Sequence, residues 1–250
     1  MNKAVDFKLL IDNSNTRTKL MFSCGGELLS EQIIIPTCEL TASKLRRVVS
    51  AYDFNQVVVS SVVPSAAAEI SEAFGNLVHF IKPSDVLFVD FEYDGISTLG
   101  ADRIANIAGC ALYGRFPCVA VDLGTAITFD VLSERDGRPV FVGGSIAPGL
   151  STMSQSLSQK TALLPSISLS GIPRALAQNT VGAMQSGCLF GCAGLVRELL
   201  HVISDELGSR PFVLATGGDA SLIFNMNVGI DSVDALLTFK GLNEVARHLL

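Results

Sequence analysis

Basic stripes, clustered histidines and long apolar runs are all missing from this chain of 250 residues. Nowhere do about 18 uncharged apolar residues follow one another, which argues against a membrane-spanning helix. The opening MNKAVDFKLLIDN has only a short apolar stretch, interrupted by Asp6 and Lys8 and followed by no small-residue cleavage site, so the product is expected to be cytoplasmic. The three histidines, His79, His201 and His248, stand in separate neighbourhoods with no metal-type pairing, so acid–base chemistry falls to carboxylates. Lys and Arg number 18 against 24 Asp and Glu, a formal charge of −6, and without a basic stripe nucleic acid is not expected as a partner. Six cysteines (Cys24, Cys38, Cys110, Cys118, Cys188, Cys192) are too sparse for a disulfide scaffold and are expected as small buried thiols. Cys188 and Cys192 share a helical face, but with no His or acid nearby they make half a zinc site at best.

What is present is apolar throughout: 48% of residues are hydrophobic and 17% charged, so much of the chain must lie in a core or a subunit interface. Residues 7–12 read as a strand entering a polar turn, and Lys19, Leu20 and Met21 as its return. Residues 39–51 have helical spacing with Thr41 or Ser43 as caps, and 56–63 form a β-branched strand. Pro64 opens a turn and helix, 77–81 a short strand, and 100–112 a helix beginning just after a glycine. At Pro117 the pattern restarts, with three strand-like runs over 118–149 and a hairpin turn at 134–139. Two helical stretches and a Pro/Ser/Gly-rich connector are expected next, then an apolar helix over 181–204, a strand at 211–216 and a helix over 234–250. The four glycines of the apolar helix suggest close packing and an interface.

A weak internal echo organises these elements. LIDNSNT at 10–16 and AVDLGT at 120–125 are each an apolar strand, an Asp, a small-residue turn and a Thr, about 110 positions apart. Turns built of Gly, Ser, Thr and Asn admit a phosphate chain, because their backbone N–H groups and hydroxyls approach closely. Asp12 and Asp122 beside them would repel phosphate directly; each either holds a cation or ordered water, or bonds the turn backbone. The paired glycines at 217–218 could lie against an adenine or ribose, and those at 143–144 are similar.

The order of these turns resembles the acetate and sugar kinase, heat-shock 70 and actin superfamily, and within it the type III pantothenate kinase family. The residues that carry the resemblance are Asp12-Asn13-Ser14-Asn15-Thr16-Arg17-Thr18-Lys19, Tyr93 with Leu99-Gly100-Ala101-Asp102-Arg103, Asp122-Leu123-Gly124-Thr125, the 143–149 segment, Asn179-Thr180 and Thr216-Gly217-Gly218. It implies an α/β actin-like ATPase fold of two ribonuclease H-like domains around a central cleft, here 1–116 with the first phosphate and pantothenate motifs and 117–250 with the second phosphate, cation and adenosine motifs. The implied activity is ATP-dependent phosphorylation of pantothenate to 4'-phosphopantothenate, the first step of coenzyme A biosynthesis. Asp102 would be the general base, and Tyr93, Gly100, Ala101 and Arg103 would contact pantothenate. Asp12, Asn13, Ser14, Asn15, Thr16, Arg17, Thr18, Lys19 and Thr125 would hold ATP with Mg²⁺, and Asp122 would bind K⁺ or NH₄⁺. Thr180 would reach the pantothenate of the neighbouring subunit in a homodimer.

Two departures stand out. Ser14 replaces the family's usual Gly, where it either crowds phosphate or adds a donor, and Asp94-Gly95 follows Tyr93 where an Asn-Pro pair is common. The rival readings are a superfamily kinase for another small hydroxyl compound and a non-catalytic nucleotide- or pantothenate-binding paralogue.

Overall fold

The computed structural model describes residues 6–249; the first five residues of the N-terminal reading and Leu250 of the expected last helix lie outside the described residues. The chain divides into two compact units. The first holds the described residues up to Gly114, together with Arg135–Phe141 and the segment from Leu236 onward; the second holds Arg115–Glu134 and Val142–Ala235.

In the first unit, β1 (Phe7–Asn13) and β2 (Arg17–Cys24) form an antiparallel hairpin, and β3 (Glu27–Pro36) pairs antiparallel with β2. After α1 (Ala42–Val48), capped by the Thr41 hydroxyl, β4 (Gln56–Ser61) lies parallel to β1. After α2 (Pro64–Phe74), β5 (Val78–Phe80) lies parallel to β4. The sheet order is β3-β2-β1-β4-β5. β1 is a near-continuous apolar run because both its faces are covered. Leu9 and Ile11 pack with Val57, Val59 and Leu45 and Ile70 of the helices, while Lys8 donates to the Ala246 carbonyl at 2.5 Å. Short β6 (Asp90–Phe91) and α3 (Ala101–Ala111) complete the unit before the restart.

The second unit contains β7 (Cys118–Leu123), β8 (Ala126–Arg135), β9 (Arg138–Pro148), α4 (Leu150–Lys160), α5 (Thr180–Leu207), β10 (Phe212–Thr216), α6 (Ala220–Phe224) and β11 (Ser232–Val233), although the tip of the β8–β9 hairpin belongs to the first. β7 pairs antiparallel with β8 and parallel with β10, and β10 parallel with β11. The order β9-β8-β7-β10-β11 repeats that of the first unit, so the sequence echo marks a repeated topology. Val119, Val121, Leu123, Ile127 and Phe129 pack there against Cys188, Leu189, Cys192 and Val196 of α5.

The units divide differently from the expected 1–116 and 117–250. Residues 140–141 pair in parallel with β6, and α7 (Leu237–His248) packs on α3, where Gly241 meets the Ala105 carbonyl and Gly109 the Leu237 carbonyl so closely that neither leaves room for a Cβ. Of two helical stretches expected after Gly149 only α4 forms, since Pro165, Gly171 and Pro173 interrupt the chain between Lys160 and α5. Edge strand β3, half-exposed along most of its length, and two-residue β6 went unanticipated. α5 is long and apolar enough to cross a membrane by length and composition, which the apolar-run criterion did not register; Met184, Cys188, Leu189, Cys192, Ala193, Val196 and Leu200 along it are buried in the core. Of its four glycines Gly182 packs closely against Ala177, while Gly187, Gly191 and Gly194 face open space. Four cysteines are buried as expected, but Cys24 is half-buried and Cys38 exposed in the turn after β3.

Candidate active site

The β1–β2 turn stands at the carboxyl end of β1, where parallel α/β sheets present ligand sites. Asp12 and Lys19 are cross-strand partners, and their side chains form an ion pair at 3.2 Å. Burial holds the Asp12 carboxyl above its ordinary value; Lys19 pulls it down, and the charge of Asp102 adds to the rise. Asn13 and Thr18 are fully buried and bonded to each other at 2.8 Å. Asn13 also accepts from Ser61 at 2.6 Å, and Thr18 is bonded to Thr37, whose hydroxyl donates to the Ser14 carbonyl. These two side chains brace the turn from beneath. Asn15, Thr16 and Arg17 are exposed on it. The Ser14 hydroxyl donates to the Arg17 carbonyl at 3.0 Å, inside the turn itself.

Asp102 sits in the first turn of α3, where a helix favours negative charge. Its Oδ1 accepts from the Arg103 N–H at 2.8 Å. Burial nevertheless raises its pKa, with that hydrogen bond and the Arg103 charge opposing. Gly100 has ordinary negative φ, and a Cβ there would lie 2.6 Å from Asp102 Oδ1, so a side chain would displace that carboxylate. Arg103 is buried, its guanidinium 5.8 Å from the Tyr93 ring and 5.7 Å from that of Phe141. A cavity of about 680 Å³ opens beside Gly100 and Ala101, walled by Ser61, Val62, Lys82 and Leu99 among others.

In the second unit, the β7–β8 turn is embraced by two glycine segments. Gly149 donates to the Thr125 carbonyl at 3.0 Å and approaches the turn too closely for a Cβ. Gly217, at φ +95°, leaves its missing Cβ position 2.5 Å from Asp122 Oδ1 and 2.6 Å from the Leu123 carbonyl oxygen. Carboxylate and carbonyl oxygens thus border one small cradle, a donor set that fits a monovalent cation. Thr180 stands exposed in the first turn of α5, beside a pocket of about 290 Å³ lined by Arg174, Asn179 and Gln185. Among the described residues no three His, Cys, Asp or Glu side chains gather as a metal cluster.

Phe141 and the bracing pair Ser61 and Thr37 went unread in the sequence. Phe141 lies in an ordinary alternating strand, and Ser61 and Thr37 are distant from the turn they support, so no local signal marks them.

These two hairpins, each ending at an Asp and a polar turn, belong to the actin-like fold. An archaeal actin homologue matches with TM-score 0.53 at 13% identity, covering 97% of this chain and 99% of that one. A ROK family protein from Streptococcus pneumoniae matches with TM-score 0.53 at 13% identity, covering 96% and 98%. A structure from Campylobacter jejuni described as a conserved putative Baf family transcriptional activator reaches 0.62 at 22% identity, covering 96% and 97%. The family model for type III pantothenate kinase matches residues 8–202. The type III pantothenate kinase of Akkermansia muciniphila is 44% identical, covering 95% of this chain and 97% of that protein, and that of Methylacidiphilum infernorum 35% identical, covering 97% and 89%. The chain belongs to the type III pantothenate kinase family.

Proposed function

We propose that the chain transfers the γ-phosphoryl group of ATP to the primary hydroxyl of pantothenate, with Asp102 as the general base. The observation that carries this is the placement of Asp102: a carboxylate in the first turn of α3, partly desolvated, with Gly100 leaving room beside its Oδ1. Phosphoryl transfer to an alcohol asks the protein mainly for position and charge, with one group to accept the hydroxyl proton. Arg103 and Tyr93 supply directional donors for the carboxylate of pantothenate, and Ala101 and Gly100 wall the space beside it. Asn15, Thr16 and Arg17 face the phosphates, with Thr125 contributing from the second turn. Asn13 and Thr18 serve that turn by holding its shape, and Ser14, bonded to the Arg17 carbonyl, is a tolerated variation.

The two cations fit the residues present. Asp12, desolvated and carrying the added repulsion of Asp102, would hold Mg²⁺ directly or through water, and Asp122 with the Leu123 carbonyl would hold K⁺ or NH₄⁺. When bound they neutralise charge on the phosphates. The enzyme works in the cytoplasm as a homodimer, with Thr180 reaching the neighbouring active site; the open glycine face of α5 is the surface available for that pairing. The test is pantothenate-dependent ADP release with Mg²⁺, in K⁺ against Na⁺. Activity is expected in K⁺ and much less in Na⁺, and Asp122→Ala should abolish the difference. A K⁺ response unchanged in that variant would count against the cation assignment, and no ADP release against the reaction.

A further inference from the structure

Phe141 belongs to no motif, yet Arg103 and Tyr93 meet on it. Its ring is fully buried, 5.3 Å from the Tyr93 ring and 5.7 Å from the Arg103 guanidinium. Its carbonyl accepts the Glu92 N–H at 2.9 Å, and Phe91 is its parallel-strand partner, so the segment leading into Tyr93 is fixed to the same residue. Arg135–Phe141 is the one stretch of the β8–β9 hairpin that leaves the second unit for the first. Ion pairs from Arg135 to Glu92 and from Arg138 to Asp90 pin it there.

We propose that Phe141 is a positioning residue for substrate selection, its ring holding the Arg103 guanidinium, with Tyr93, at the angle that receives the substrate's carboxylate. This rests on the reading that Arg103 and Tyr93 take the carboxylate end of pantothenate. A guanidinium attracted to an aromatic face is held at a set angle to it, and its long stem gives up less freedom on binding. An aliphatic side chain at 141 fills much of the volume without the ring's electrostatic attraction. The consequence is selective: anything that binds through the carboxylate depends on Phe141, and anything lacking it does not.

The experiment compares steady-state kinetics on pantothenate and on its alcohol analogue, in which a hydroxymethyl group replaces the carboxylate. Wild type is expected to prefer the acid. In Phe141→Leu the KM for pantothenate should rise about tenfold with kcat held within about twofold, while the KM for the alcohol stays put, so the preference collapses. Phe141→Tyr, which keeps an aromatic face, should restore it. If the leucine variant fails to fold, Phe141→Met carries the same comparison. An unchanged preference, or an equal rise in both KM values, overturns the proposal. A wild type that uses acid and alcohol equally well overturns it by removing the carboxylate reading beneath it, whereas a wild type inactive on both removes the kinase reaction itself.

Discussion

A general base must be ionised to accept a proton, and if Asp102 has that role its surroundings work against ionisation. Burial raises its pKa above the reference value of 3.8, so the rate should fall with acidification at a higher pH than an exposed aspartate would give. The same shift has a thermodynamic sign. A carboxyl whose folded pKa lies above its unfolded one destabilises the fold once ionised; the penalty is complete above the folded pKa and absent below the unfolded one. Asp102→Asn should therefore abolish transfer yet raise the melting temperature at neutral pH, and that gain should shrink as pH falls toward 4, as a thermal melt series would record. Asparagine can still accept the Arg103 N–H, so the helix start survives. Gly100→Ala tests position alone. Its Cβ would push Asp102 Oδ1 aside, a movable carboxylate rather than a backbone wall, so kcat should drop on the order of a hundredfold with little change in melting temperature.

Among the elements, α3 matters most, since it carries Asp102 and Arg103 and is held by α7. The two helices cross where Gly109 and Gly241 each face a carbonyl of the other, and no side chain there can rotate away. Gly241→Ala should cost about 1–3 kcal/mol or more, visible as a lowered denaturant midpoint, with activity lost in step with folding. This crossing was not legible in the sequence, because a glycine within a helix gives no sign of what it touches. The strands and the helices flanking them were legible where apolar periodicity is strong: β1, β4, β7 and β10 read as buried runs, and Thr41 as a cap. β3 hid because its exposed edge carries mixed residues, and α5 was read three residues short at its C-terminal end because charged Asp205 and Glu206 close its apolar run without ending the helix. The positions of Asp12, Asp102 and Asp122 at a strand end, a helix start and a strand end were legible through the turns and glycines around them. Phe141 was not, since its role comes from a parallel pairing of residues about fifty positions apart in the chain.

The two units use one topology twice, each sheet bringing a central strand with an Asp one residue before its end, and the turn that follows, to its carboxyl edge. Asp12, Asp102 and Arg103 belong to the first unit, and Asp122, Thr125 and Thr180 to the second. If Thr180 serves the neighbouring subunit, two inactive variants should rescue one another. Asp102→Asn and Thr180→Ala, each inactive alone, should on co-expression regain roughly a quarter of wild-type activity, because mixed dimers contain one intact site. An absence of rescue with mixed dimers present would place Thr180 in its own subunit's site.

The most direct test is the formation of 4'-phosphopantothenate from ATP and pantothenate by purified wild type and by Asp102→Asn, read by mass with Mg²⁺ and K⁺ present. Product from wild type and none from the variant, with both still binding pantothenate, is the expected result. Product formed by the Asp102→Asn protein, or none by wild type, would contradict it.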